Sequence, residues 1–345
     1  MELYEMLEQL CPCAAPSGFE TGISNTAKEL LSPFVDTVSS DALGNVIGVR
    51  RCGKPVAKRL LLDAHLDEIG LIVTGIEEGF LQFTSIGGVD PRMLPGREVT
   101  VLTRPQPLFG VVACLPPHVQ SAGDHDRSVP MDELRIDLGL TQAQAEEAVP
   151  IGTPIVYREG IRRLAGDQVC GKSLDDRACF AILARTAQLL QDVPLDVDLY
   201  ILGSVQEEVS GDGAIAGTNQ IVPDWCVAVD VTFASTPGIS EDEVAAKLHG
   251  GPVIGAGPNM TRSLTRRMIC KAKSLDIPYQ LEIMEGNTGT NAWGMQICLE
   301  GIPTSVVSLP LKYMHSPIEV VSLEDMERTA RLLAAFAADL GREVD

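Results

Sequence analysis

Acidic and histidine side chains follow several apolar runs of this sequence, at the point where each run ends. They occur in RLLLDAHLD, YILGSVQEE, CVAVD and SVVSLPLKYMH, and are His65, Asp67, Glu207, Glu208, Asp230 and His315. Asp175 stands at the start of a predicted helix, where unpaired backbone amides favour a carboxylate. Because ligands in open α/β sheets gather beyond the carboxyl ends of strands, these side chains are expected to meet.

Two histidines and three carboxylates among them form a mixed nitrogen and oxygen donor set. Such a set suits zinc, cobalt or manganese better than magnesium or calcium, which prefer oxygen alone. Five donors exceed one tetrahedral site but serve two metals if one carboxylate bridges them. Two ions about 3.5–4 Å apart can hold a hydroxide and polarise a scissile carbonyl. An unbound carboxylate alongside could pass the water's proton to the leaving amine.

Taken singly, these residues also have structural explanations. His65 alone can be a satisfied buried histidine, Asp175-Asp176 a helix cap and Glu207-Glu208 a solvated loop pair. Asp230 and His315 alone fit a structural or a functional role equally well. The conjunction of all of them in one pattern favours function. The remaining histidines are set aside, with Asp124-His125-Asp126 interpreted as an exposed polar turn: His118, His125 and His249.

Composition excludes several classes of protein. The 345 residues carry 47 acidic against 27 basic side chains, a formal net charge of -20, which repels nucleic acid and anionic membranes. Nine scattered cysteines are typical of reduced thiols. The N-terminus has no basic and apolar signal, and no apolar run reaches about 18 residues. The sequence therefore predicts a cytoplasmic protein that binds neither nucleic acid nor membrane.

The order of predicted elements indicates an α/β domain interrupted by a β-rich segment. Helical patterns near Thr21–Leu31, Asp176–Gln191 and Leu323–Leu340 alternate with apolar runs typical of buried strands. Between about Gly70 and Arg163 only short β-type runs occur, separated by glycine and proline. We therefore predict a discontinuous domain, 1–69 with 164–345, and an inserted all-β domain, 70–163, that acts as a lid, substrate wall or assembly element.

Five ordered motifs resemble the M42 family of metallo-aminopeptidases, the glutamyl aminopeptidase and tetrahedral (TET) group. They are DAHLDEIG, GKSLDDRA, VQEEVSGDGA, VAVDVT and KYMHSP, and the resemblance runs from AAPSGFE at Ala14–Glu20 to the closing helix. The resemblance implies a mixed-sheet α/β/α metallopeptidase fold with an inserted barrel-like β domain. It also implies cleavage of N-terminal residues from short peptides.

The resemblance assigns a role to each candidate. His65 and Asp230 would complete one metal site, and Glu208 and His315 the other. Asp175 would bridge two divalent ions, zinc by preference and otherwise cobalt or manganese. Glu207 would be the general base and acid, and Asp67 would orient His65. The inserted domain would form dimers that assemble into a dodecamer.

Two positions depart from the family pattern. The chain has Asn291 where the family typically has aspartate in Gly-Thr-Asp-Ala, and Lys312 where it usually has arginine in Arg-Tyr-x-His. The second change replaces a forked donor with a point charge. Both bear on substrate preference and on the surroundings of the site.

Two other functions are compatible with the sequence. One is a glycan hydrolase, which needs two carboxylates but no metal pair. The other is a non-catalytic binding or assembly homologue that retains the fold.

Overall fold

The computed structural model describes residues 1–119, 128–239 and 246–341, so the predicted turn at Asp124-His125-Asp126 lies outside the described residues. The helices of the described ranges are α1 (Leu3–Leu10), α2 (Thr21–Leu31), α3 (Gln142–Ala148), α4 (Leu174–Leu190), α5 (Asp212–Ile221), α6 (Arg262–Ser274), α7 (Ala292–Met295) and α8 (Leu323–Asp339). The strands are β1 (Thr37–Ser40), β2 (Val46–Arg50), β3 (Arg59–His65), β4 (Gly70–Glu77), β5 (Phe80–Ile86), β6 (Glu98–Val101), β7 (Leu108–Ala113), β8 (Arg135–Asp137), β9 (Pro154–Tyr157), β10 (Arg162–Arg163), β11 (Gln168–Gly171), β12 (Asp198–Ser204), β13 (Trp225–Phe233), β14 (Val253–Ala256), β15 (Gln280–Ile283), β16 (Thr304–Leu311) and β17 (Glu319–Ser322).

A mixed sheet of eight strands forms the centre of the molecule, in the order β1-β2-β12-β3-β13-β16-β14-β15. Its middle strands β12, β3, β13 and β16 run parallel, and antiparallel pairs flank them. Parallel central strands direct their carboxyl ends to one edge, which is where the candidate residues were predicted to meet.

Helices cover both faces of this sheet because successive side chains of a strand point to opposite sides. Leu60 and Leu62 of β3 join the apolar cluster that includes α1, α2, α4, α6 and α8, whereas Leu61 joins the cluster with α5 and α7. The predicted mixed-sheet α/β class is therefore confirmed.

The segment between β3 and β10 closes into a six-stranded barrel, in the order β4-β5-β8-β7-β6-β9. The barrel has an apolar core of its own, which includes Leu81, Val99 and Ile155. It also contains α3, a helix that the all-β prediction missed. The signal was present, because Thr141 and Gln144 form a reciprocal capping box at its start. The proposed division at residues 70 and 163 stays a prediction.

A three-stranded sheet, β10-β11-β17, lies beside the main one. It brings β17 next to the start of α4, so that Glu319 at the start of β17 reaches the candidate site.

None of the helices within the described ranges combines the length and the apolar character needed to span a lipid bilayer.

Candidate metal centre

The seven predicted residues lie in one neighbourhood at the carboxyl edge of the sheet. His65 ends β3, Glu207 and Glu208 follow β12, His315 follows β16, and Asp175 stands in the first turn of α4. Asp230 lies within β13 rather than at its end, because the strand continues to Phe233.

Asp175 occupies the middle of the cluster. Its Oδ1 is 3.1 Å from Nε2 of His65, and its Oδ2 is 3.5 Å from Nε2 of His315. Nε2 of His315 is also 3.4 Å from Oε2 of Glu208. One carboxylate thus faces a different histidine with each of its oxygens.

These donors form two groups of three that could each hold a cation. One comprises His65, Asp175 and Asp230, the other Asp175, Glu208 and His315, and within each group the donor atoms lie within 4.8 Å of one another. Asp175 belongs to both groups. The structure therefore contains candidate metal-binding groups with one carboxylate in common.

A hydrogen bond from Nδ1 orients the imidazole ring of both His65 and His315. Nδ1 of His65 lies 3.2 Å from the main-chain oxygen of Asp67, and Nδ1 of His315 lies 3.0 Å from that of Gly88. A carbonyl oxygen can only accept, so each Nδ1 carries a proton and donates it. Nε2 is then the ring atom that presents a lone pair to a cation.

Asp67 is fully buried and links His65 to the glutamates. Its two carboxylate oxygens accept from the backbone N–H groups of Glu207 and Glu208, each at 3.1 Å. Burial raises the pKa of Asp67, but hydrogen bonding to His65 and these amides outweighs it, and the pKa falls below its usual value. Asp67 is therefore an anion that positions the backbone carrying both glutamates.

Burial opposes the ionisation of most acids in the cluster. It raises the pKa of Glu208 and Asp230 well above the usual range, and that of Glu207 to about 7. Asp175 is the exception: burial raises its pKa, but the adjacent imidazoles of His315 and His65 outweigh burial and lower it. So many buried carboxylates can be ionised together only if cations neutralise them. The donor set thus fits divalent metal ions.

Glu319 belongs to this neighbourhood, although it was not among the site residues predicted from the sequence. Its Oε2 accepts from the backbone N–H of Asp175 at 3.1 Å and its Oε1 from that of His315 at 3.0 Å. It therefore fixes the main chain of two candidate ligands at once. The available signal was an acid that begins the apolar run EVVS, since a buried acid is costly without partners.

The two positions that depart from the family pattern differ in their surroundings. Asn291 is buried and its Nδ2 donates to Oδ2 of Asp63 at 2.8 Å and to Oγ of Ser204 at 2.9 Å. Lys312 pairs through its backbone with Val320, with two hydrogen bonds of 3.0 Å that do not depend on the side chain.

The histidines that were set aside lie elsewhere. His118 is exposed in a short 3-10 helix, and His249 forms a surface group with Asp167 and Glu324. His125 lies outside the described residues.

An α/β architecture with buried carboxylates and histidines at the carboxyl edge of its sheet defines a class of hydrolases that work with divalent cations. The model of the M42 glutamyl aminopeptidase family matches residues 44–332, and the chain belongs to that family. The predicted resemblance is confirmed, and with it the identification of the chain as an enzyme that acts on peptide bonds.

Relatives and solved structures match the chain over nearly its whole length. A lysyl aminopeptidase from Pyrococcus furiosus is 33% identical, covering 98% of this chain and 97% of that protein. A TET aminopeptidase structure from a marine-sediment archaeon of the Thaumarchaeota superposes with a TM-score of 0.92 at 31% identity, covering 98% of this chain and 96% of that one. The Pyrococcus horikoshii TET1 peptidase, described as assembling into a tetrahedron or a large octahedral shell, has a TM-score of 0.85 at 31% identity and covers 98% of this chain and 100% of its own.

Proposed function

We propose that this protein is a dinuclear-metal aminopeptidase that removes N-terminal residues from short peptides. The observation that carries the proposal is the placement of Asp175, whose two oxygens face His65 on one side and His315 on the other. Family membership indicates the class of reaction, and the placement of Asp175 supports a candidate site for that reaction.

The proposed assignment follows the two donor groups. His65 and Asp230 would hold one ion and Glu208 and His315 the other, with Asp175 as the donor that both sites would share. Zinc fits this mixed donor set best, with cobalt and manganese as alternatives. When bound, two such ions activate a water molecule and polarise the scissile carbonyl.

Glu207 is the proposed general base and acid. Its side chain is 18% exposed, it lines the same cavity as the donors, and its Oε2 lies 3.9 Å from Nε2 of His65. A pKa of about 7 suits a group that takes a proton from water and returns it to the leaving amine. Asp67 supports this role by holding the amide of Glu207.

The acidic cavity also suits the amino end of a peptide. With Glu208 and Asp230 assigned to the ions, the carboxylate of Glu207 stays free to meet an α-ammonium group, whereas a blocked or internal peptide bond offers no such cation. This charge match supports removal of terminal residues.

Replacing Glu207 with Gln should abolish turnover while both metals stay bound, because the amide cannot accept the proton. We expect kcat to fall by about 10²–10⁴-fold. The measurements are hydrolysis of a panel of aminoacyl chromogenic substrates and the metal content per chain. An E207Q protein that keeps its activity would refute the role.

Assays of an aminoacyl substrate and of a glycan substrate on metal-stripped protein, with zinc, cobalt or manganese restored, separate the two kinds of hydrolase. A glycan hydrolase needs no metal pair and keeps its activity in chelator. The aminopeptidase loses its activity and recovers it with the right ion.

We further propose that the chain forms homo-oligomers, with the barrel segment 70–163 mediating dimers that assemble into a dodecamer. The assembly of the Pyrococcus horikoshii relative supports this proposal.

A further inference from the structure

The cavity that contains the candidate metal centre is also lined by Glu282, a carboxylate outside the donor set. The cavity has a volume of about 340 Å³. Its lining combines the donor residues with Thr232, Glu282 and Met284. A space of this size accommodates a single amino-acid side chain beyond the reacting bond.

Glu282 lies on β15 and is only partly satisfied by the protein. Thr232 donates its hydroxyl proton to Oε1 of Glu282 at 3.0 Å. The other oxygen, Oε2, is buried without a hydrogen-bond partner. No lysine or arginine of the described ranges forms an ion pair with it. A carboxylate has about four acceptor sites, so most of the capacity of Glu282 is unused.

An unpaired carboxylate at this depth is costly to keep charged. Burial raises the pKa of Glu282, and only the hydrogen bond from Thr232 opposes the shift. Such a group is stabilised when a cation reaches it. Its terminal torsion is broad, so either oxygen can turn towards the cavity.

Thr232, the hydrogen-bond partner of Glu282, lies on the same strand as the candidate ligand Asp230. Asp230 and Thr232 are two residues apart on β13 and point to the same face, roughly 6.6 Å apart along the strand. Met284 and Met314 add apolar surface to the cavity. A lysine side chain, with four methylenes and a terminal ammonium, has a chemistry that matches an apolar lining with one unpaired carboxylate.

We propose that Glu282 is a specificity-determining residue that selects a basic side chain, lysine or arginine, at the amino end of the peptide. The inference rests on the proposed aminopeptidase function and names its substrate class. The cation replaces the partner that Glu282 lacks, while an acidic side chain is repelled and a neutral one leaves the carboxylate unpaired.

The test compares lysyl, leucyl and glutamyl chromogenic substrates on the wild type and on Glu282→Gln, both loaded with metal. Because a hydrogen bond to a charged group is involved, we expect kcat/KM for the lysyl substrate to fall by about ten- to a hundred-fold in the variant. The leucyl substrate should change little. A wild type that prefers leucyl or glutamyl substrates, or an E282Q variant with unchanged preference, would overturn the inference.

Glu285→Gln is the matched control. Glu285 is exposed three residues further along the chain, so this variant removes the same charge from the same segment without touching the cavity. Its substrate preference should equal that of the wild type. Equal loss of lysyl preference in both variants would mean that the net charge of the segment matters, and that Glu282 does not select the substrate.

A binding measurement separates this inference from the proposed reaction. L-lysine and L-norleucine share an unbranched side chain, but only lysine has the ammonium group. Calorimetry should show lysine bound at least about ten-fold more tightly by the wild type, and equally by E282Q. Suppose that the wild type binds lysine more tightly than norleucine and E282Q does not, but that the wild type cleaves none of the substrates. That result would contradict the aminopeptidase proposal and support the assignment of Glu282. A wild type that cleaves the substrates but binds lysine and norleucine equally would support the aminopeptidase proposal and contradict the assignment of Glu282.

Discussion

At the scale of single residues, Asn291 shows how a departure from the family pattern is accommodated. Its amide donates to Asp63, which is 1% exposed and whose pKa burial raises to about 6. A neutral donor at this position lets Asp63 ionise at neutral pH. Two adjacent buried acids would instead compete for one proton.

Replacing Asn291 with Asp should therefore lower stability in a pH-dependent way. In the folded variant, Asp63 and the new carboxyl group at position 291 would share a proton whose pKa lies well above that of either group in the unfolded chain. Stability is therefore retained at low pH and lost as the pH rises. We expect a loss of about 1–3 kcal/mol at neutral pH, shrinking as the pH falls. Urea unfolding at about pH 5.5 and about pH 8 measures the difference.

Asn287→Asp serves as the control, because Asn287 is exposed in the preceding loop. It should change stability little at either pH. An equal loss of stability for Asn291→Asp at both pH values would contradict a shared proton.

At the scale of elements, the sequence predicted where strands end but not what reaches those ends from elsewhere. His65, Glu207 and His315 follow apolar runs, so their position at the sheet edge follows from local pattern and strand topology. Glu319, Glu282 and Gly88 reach the same cavity or its ligands through packing between distant segments. No spacing in the sequence encodes those contacts, and α3 was missed because its capping signal is short.

Gly88, in the loop after β5, makes the contact between the barrel and the candidate site. A Cβ added there would meet Nδ1 of His315 at 2.6 Å, closer than side chains tolerate. Gly88→Ala should therefore push the imidazole out of place. We expect the affinity for one of the two proposed metal ions to fall by about ten-fold or more, because ligand orientation is lost.

Titration of metal against a competing indicator, with a thermal melt to verify folding, measures this loss. Gly160→Ala is a suitable comparison, since a Cβ there meets nothing within 4 Å. If Gly88→Ala binds both ions as the wild type does, the contact does not position His315.

At the scale of the whole molecule, the barrel carries apolar side chains on its outside. Phe109 of β7 is 50% exposed and Ile151 is 62% exposed, although the barrel has a complete core inside. A contiguous patch of exposed apolar side chains marks an association surface, and Phe109 is the side chain chosen to test for one.

We expect the wild type to sediment at a multiple of its 36.9 kDa chain mass. Phe109→Glu should shift the distribution to smaller species, because it places a charge on the proposed interface. Val56→Glu alters a residue that is 95% exposed in the loop between β2 and β3, outside the barrel segment, and should leave the mass unchanged. A wild type that sediments as a single chain would rule out the assembly.

The Gly88 carbonyl also sets a condition for engineering this enzyme. It accepts the Nδ1 proton of His315, so the barrel segment determines which tautomer that imidazole adopts. A chimaera that exchanges residues 70–163 for an unrelated module would remove this acceptor. Such a graft would have to supply a substitute carbonyl at the same point, or the imidazole would be free to rotate and present the wrong nitrogen.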